Sequence, residues 1–278
     1  MKYKILLASI LLLAVSIRIH AQSFNVATFN IRYDNPSDTG NLWVNRAPVV
    51  SSLIRFHDFD IFGVQEALKN QLDDISTALP QFSRYGIGRN DGKDGGEHST
   101  IFYKKDKFKL LKSGDFWLSQ TPDKPGLGWD ATCCNRICSW VYLENIASGK
   151  KFYFFNVHFD HQGFIARKES SKLIIQKIKD IAGSQPVIFT GDLNGGRDSE
   201  WYQTIANSGI LKDSYADVKF PYELNSSANG FRAPRNKSVI DHIFTSKQFT
   251  SSRWGILTDT YFGKFPSDHF PVMSTVSF

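Results

Sequence analysis

The sequence predicts an α/β protein, either two sheets packed face to face with helices outside or one open α/β sheet. Three observations lead there. Short runs rich in β-branched and aromatic residues recur along the chain. Helical patterns lie between some of them, and polar side chains repeatedly stand where a strand run ends.

The strand runs are FNVATFNIRY, DIFGVQE, STIFYKK, ICSWVYLE, KFYFFNVHF, PVIFTGDLN, SVIDHIFTS and the terminal FPVMSTVSF. APVVSSLIRFH and KNQLDDISTAL carry apolar residues at helical spacing. RKESSKLIIQKIKDIA predicts a long amphipathic helix with Leu173, Ile174, Ile178 and Ile181 inward. No Pro/Gly/Ser-rich linker, internal repeat or low-complexity tract divides the chain, so residues 22–278 are expected to form a single domain.

The first 21 residues hold Lys2 and Lys4, an apolar run from Ile5 to Val15, and a polar stretch ending at Ala21. That pattern reads as a signal peptide cleaved near Ala21–Gln22, because an apolar run of about a dozen residues is too short to span a membrane. The protein is therefore expected to be exported, periplasmic or secreted, with no membrane span, and to be a monomer. The whole chain has 33 basic and 27 acidic residues and a formal charge of +6. Cleavage would remove Lys2, Lys4 and Arg18 with no acid, leaving +3. That balance suits an anionic substrate and is weak for a protein tracking duplex DNA.

Cys133, Cys134 and Cys138 are the three cysteines. Two readings are open: a local disulfide from Cys138 to one of the adjacent pair, or small buried residues beside a strand. No second Cys/His cluster at zinc-ligand spacing lies close by in sequence.

Six short motifs carry chemistry. In GVQEA, Glu66 follows an apolar strand; it is either a hard-cation ligand or a residue of the next helix's first turn. In TFNIRYD, Asn30 offers an amide that donates and accepts. In GDLN, Asp192 and Asn194 share a face if the strand continues, a pair able to polarise water and hold a phosphate oxygen; a simple turn is the competing reading. In NVHFDH, His158 has Asp160 and His161 close by. In VIDHIF, Asp241 is expected to be buried and to orient Asn194 or a histidine, with His242 at the surface or in packing. In SDHFPV, Asp268 can fix the tautomer of His269 only if the backbone turns between Pro266 and Pro271.

In this order the six motifs resemble the motif set of the endonuclease/exonuclease/phosphatase superfamily, from Asn30 to Pro271. The resemblance implies a four-layer α/β/β/α sandwich and hydrolysis of a phosphoester by in-line attack of water, with one Mg²⁺ or Mn²⁺ ion. It implies that Glu66 holds the metal, assisted by Asn30, with Asp268 reaching it through water. Asp192 would orient or deprotonate the water, and Asn194 would bind the phosphate. Asp241 would position the network, and His158 would touch the phosphate or aid the leaving group. His269, oriented by Asp268, would stabilise the transition state. Where apurinic endonucleases carry a metal-binding Asp two residues after the first Asn, this chain has Arg32, so a second metal is not expected. GWDATCCNRICSW resembles a block of exported bacterial members; its Arg136 is either a phosphate clamp or a surface ion pair.

Substrate is open. A nuclease or other phosphodiesterase is the first expectation, and a phosphomonoesterase or an enzyme acting on a phospholipid head group, as sphingomyelinases do, the alternative. A silent binding cleft is disfavoured by so many convergent carboxylates. Trp43, Trp129, Trp201 and Phe262 are either stacking platforms for a ligand or ordinary packing.

Overall fold

The computed structural model describes residues 23–233 and 236–278; the expected signal peptide and its cleavage point lie outside them. Strand β1 (Ser23–Asn30) shows how the chain is laid out. Phe24 and Val26 enter one apolar cluster, and Ala27 and Phe29 enter another on the opposite face, as the two-residue period of a strand requires.

The strands that follow are β2 (Ile61–Gln65), β3 (Phe82–Tyr85), β4 (Ile101–Lys104), β5 (Phe108–Trp117) and β6 (Ile137–Asn145). Then come β7 (Lys151–His158), β8 (Val187–Asp192), β9 (Lys212–Asp213), β10 (Asp241–Thr245), β11 (Thr250–Ile256) and β12 (Val272–Ser277). They form two six-stranded sheets, ordered β11-β12-β1-β2-β4-β3 and β5-β6-β7-β8-β10-β9. Between the sheets pack Phe24, Ile61, Phe154, Ile188 and Ile243. Helices α1 (Trp43–Phe56) and α2 (Lys69–Ala78) cover the first sheet with Leu53, Ile54, Leu72 and Ile75. Helices α3 (Phe164–Ala182) and α4 (Glu200–Ala206) cover the second with Ile174, Ile178 and Ile205. The result is the α/β/β/α sandwich, and the open single sheet is excluded.

Three expectations change. In α3 the deeply buried residues are Ile174, Ile175 and Ile178, with Leu173 and Ile181 only half-buried; the stripe must meet α4 as well as the sheet, which turns it toward Ile175. Cys138 is a free, buried thiol in β6, and the disulfide joins Cys133 to Cys134 in the loop before it. The ladder of β6 points Cys138 into the core beside Phe116, away from that loop. Trp43 and Trp201 are buried packing residues, whereas Trp129 is half-buried and Phe262 fully exposed.

Positions facing the seam between the sheets become polar toward one end. They read Phe24, Val26, Thr28, Asn30 on β1; Phe152, Phe154, Asn156, His158 on β7; and Ile188, Thr190, Asp192 on β8. Strands β1 and β2 are parallel, as are β7 and β8, so these carboxyl ends coincide. β10 runs antiparallel to β8 and starts there, with Asp241 opposite Asp192. A buried polar bridge joins the sheets just below: Gln65 Nε2 donates to Asn156 Oδ1 at 2.7 Å, and Thr190 Oγ1 donates to the same oxygen at 3.1 Å. Gly63 admits this bridge, since a Cβ there would fall 2.2 Å from Asn156 Oδ1.

Candidate active site

Asn30, at the end of β1, donates from Nδ2 to Glu66 Oε1 and to Asp192 Oδ2, both at 3.1 Å, while its Oδ1 accepts from Arg32 N at 3.0 Å. These partners fix the amide's orientation and tie the two sheets' carboxylates together. Glu66 sits in a left-handed turn (φ 62°) before α2, not in that helix's first turn. Its Oε2 accepts from Tyr33 N at 3.3 Å, with Arg32 Nη1 3.8 Å away.

The chain leaves β8 at Asp192, and Asn194 is left-handed (φ 46°), so the two do not share a strand face. They meet through the turn, in which Asn194 N donates to Asp192 Oδ1 at 2.8 Å. Asn194 Nδ2 lies 3.0 Å from both the Phe159 carbonyl and His158 Nε2. The carbonyl can only accept, so the amide's NH₂ faces both groups and His158 Nε2 is an acceptor. Burial, reinforced by Arg136 and Arg89, holds His158 well below its ordinary pKa. His158 is therefore neutral with its proton on Nδ1, and it orients Asn194 instead of donating to a leaving group through Nε2.

His269 behaves oppositely. Its Nδ1 donates to Asp241 Oδ2 at 2.9 Å, and Nε2 lies 3.9 Å from Asp192 Oδ2. Burial opposes the charge, yet Asp241 and then Asp192 hold this imidazole well above its ordinary pKa. Asp241, not Asp268, orients His269, because sequence neighbours diverge whereas the packing of the two sheets sets Asp241, at the start of β10 in one, against His269, just ahead of β12 in the other. Asp268 instead lies 3.9 Å from Arg32 Nε and keeps its backbone carbonyl on Asn229 N and Gly230 N. Burial, with the nearby Glu66 adding to it, raises the Asp268 carboxyl. Burial and Asp241 likewise push Asp192 up to about 7.

Arg136 is buried, with Nη2 2.9 Å from His161 Nδ1 and Nε 3.7 Å from Asp160; the surface ion pair is excluded. It borders a cavity of about 430 Å³ together with Arg32, Arg89, Glu66, Asp192 and His269. His242 is buried, its Nε2 3.0 Å from the Gly195 carbonyl and its ring beside Tyr202.

Sequence reading missed three contributors. Arg46, fully buried, donates to the carbonyls of Ile31, Arg32, Asn41 and Pro266, pinning both site loops. Ser227 Oγ accepts from the Ile240 and Asp241 amides. Arg89, paired with Glu97 at 2.6 Å, adds a third guanidinium to the cavity. Only Arg46 left a trace, as a cation in a mainly apolar helix stripe.

Two groups of donors bear on a metal. Asp192, Asp241 and His269 offer atoms within 4.8 Å of one another. A protonated imidazole, however, has no lone pair to give. Glu66 and Asp268 provide charged oxygens near the cavity, with Asn30 beside Glu66, a donor set that fits a hard divalent cation.

The Endonuclease/Exonuclease/phosphatase family model matches residues 27–269. The chain belongs to that family. Its members are metal-dependent phosphohydrolases. A family member of known structure from Bacteroides thetaiotaomicron is 45% identical over 92% of this chain and 98% of its own, with a TM-score of 0.90. A mannosyl-6-phosphatase from the same organism is 44% identical over 92% of this chain and all of its own (100%), with a TM-score of 0.89. An uncharacterized protein of Acanthamoeba polyphaga mimivirus is 26% identical over 72% of this chain, and the match spans only 35% of that relative's length. Among the described residues no helix is long and apolar enough to cross a membrane.

Proposed function

We propose that this family member is a phosphomonoesterase that removes phosphate from a sugar phosphate, using one Mg²⁺ or Mn²⁺ ion, after export from the cytoplasm. The observation that carries the reading is the cavity: about 430 Å³, bordered by Arg32, Arg89 and Arg136 beside the Asp192–His269 pair. That volume suits a small molecule, and clustered guanidiniums suit a dianionic phosphate end. A duplex would call for an extended basic groove. The similar mannosyl-6-phosphatase supports the choice of a sugar, and the apolar amino-terminal stretch supports export.

Glu66 would hold the ion, with Asp268 nearby, and Asn30 would keep Glu66 in place. When bound, the ion supplies charge stabilisation at the phosphoryl oxygens. The chain's own residues do the rest. Asp192, steadied by Asn30 and the Asn194 amide, accepts a proton from the attacking water. His269, charged and held by Asp241, directs its Nε2–H into the site, where it meets negative charge growing on the phosphoryl group. Arg136 grips the non-reacting oxygens. Neutral His158 keeps the Asn194 amide aimed.

Purified protein with Mg²⁺ should release phosphate from hexose 6-phosphates faster than it cleaves bis-p-nitrophenyl phosphate, plasmid, single-stranded DNA, RNA or a choline-headed phospholipid, and EDTA should stop it. Preferential cleavage of a nucleic acid or diester would return the assignment to a phosphodiesterase. Turnover of none of them would sink both readings.

A further inference from the structure

The loop before β6 forms a disulfide between adjacent residues, Cys133 and Cys134, and Cys134 borders the cavity. The loop is anchored at both ends. Asp130 accepts from the Ile165 and Ala166 amides at the start of α3, and Thr132 Oγ1 donates to Gln162 Oε1 at 2.5 Å. Asn135 Nδ2 reaches the Arg89 carbonyl at 3.3 Å. Cys133 Sγ lies within 4.8 Å of ligand atoms on Asp160 and His161. Its sulfur is consumed by the disulfide, so this trio is not a metal cage.

Nearly every other cavity wall is charged or hydrogen-bonding. The exception is Tyr33, and the Arg32 guanidinium already lies 4.5 Å over its ring. The disulfide therefore gives the cavity a free apolar surface through Cys134, a polarisable sulfur and its methylene held by the bond to Cys133 without rotors to freeze. A sugar ring needs such a surface for its C–H face and hydrogen-bonding groups around its edge. His161 and Glu97, which border the same cavity as the disulfide, supply those groups.

We propose that the Cys133–Cys134 disulfide is the platform on which the sugar ring of the substrate rests, making this loop the determinant of leaving-group specificity. It rests on the sugar-phosphate reading above and adds where the ring binds.

The test compares the double variant Cys133→Ser/Cys134→Ser, and wild-type protein reduced with a phosphine, against oxidised wild type. Mannose 6-phosphate serves as the ring substrate, glycerol 3-phosphate as a ringless one, and free mannose as an inhibitor. The expected result is a roughly tenfold rise in KM for mannose 6-phosphate and in the inhibition constant of mannose, with kcat within about twofold, while KM for glycerol 3-phosphate rises at most about twofold; each tenfold step is about 1.4 kcal/mol. Reduced wild type gives the answer if the variant does not fold. Equal changes for both substrates, or none for mannose 6-phosphate, overturn the platform. Glycerol 3-phosphate turned over without mannose 6-phosphate would instead overturn the sugar reading on which it stands.

Discussion

Replacing Asp241 by Asn removes the charge that holds His269 without changing the size of the side chain. The two groups are 2.9 Å apart and Asp241 is fully buried. With charge centres near ~4 Å and an effective dielectric of about 20, such a pair is worth about 4 kcal/mol. If the charge on His269 is used in the transition state, its loss slows turnover about a thousandfold. Stability should not fall in step. Asp241 Oδ1 is buried without a hydrogen-bond partner, and its carboxylate faces that of Asp192 across the strand pair, so the amide relieves repulsion as it breaks the ion pair. The assay is steady-state phosphate release with Mg²⁺, alongside thermal melting. Asp241→Asn should lose about a thousandfold in kcat with a melting temperature near wild type, and adding His269→Ala should cost little more, because the two act as one unit. A rate within tenfold of wild type, or Asp268→Asn giving the large kcat loss while Asp241→Asn does not, would refute the assignment of Asp241 as the partner of His269.

Glu66→Gln should abolish detectable Mg²⁺ binding by titration calorimetry and leave kcat near background; unchanged affinity would move the ion elsewhere. Arg46→Met should destabilise the fold by at least about 3 kcal/mol in urea unfolding, since two buried and two partly buried carbonyls lose their donor. Asp192→Asn should be inactive yet more stable when metal-free at pH 8. An acid raised in the fold from 3.8 to about 7 costs stability as pH climbs through that interval, by about 1.4 kcal/mol for each step of one in pH, and the amide removes that cost. The stability gain should vanish below about pH 4, and a gain independent of pH would refute the cause. Deleting residues 267–278 takes out β12, which lies between β11 and β1; the shortened chain should be insoluble or unfolded by circular dichroism, and a folded, active product would contradict the topology.

The layered fold was legible because the long strands read as apolar, β-branched and aromatic runs, as β7 and β8 do, with amphipathic helices falling between them. Less was visible where local pattern was weak: β5 carries exposed lysines and a register shift between Leu110 and Lys112, and β3 is four residues long. Asn30, His158, Asp192 and Asp241 could be picked out because each is a polar side chain at the end of an apolar run. The same rule, applied one step earlier on each strand, would also have picked out Thr28, Gln65, Asn156 and Thr190, the bridge beneath the site. Partnership was not legible. That Asp241 rather than Asp268 holds His269 depends on how two separate sheets pack face to face, and the choice among three cysteines depends on which one a ladder has already turned inward.

The antiparallel register that sets Asp241 opposite Asp192 also explains why two buried histidines in one site carry opposite charge. Two carboxylates facing each other across a strand pair cannot both be ionised cheaply. A cation within reach of both lowers that cost, and His269, 2.9 Å from one and 3.9 Å from the other, is placed to be it. His158 Nε2 also lies 3.5 Å from Asp192, but Arg136 and Arg89 already crowd its surroundings with positive charge. A second imidazolium there would add repulsion without a second pair of carboxylates to offset it, so His158 stays neutral and serves as a hydrogen-bond acceptor. One positive histidine and one neutral one therefore follow from where each stands, His158 at the end of β7 among guanidiniums and His269 ahead of β12 beside two carboxylates, and the charged one is the one that can confront a developing phosphoryl anion.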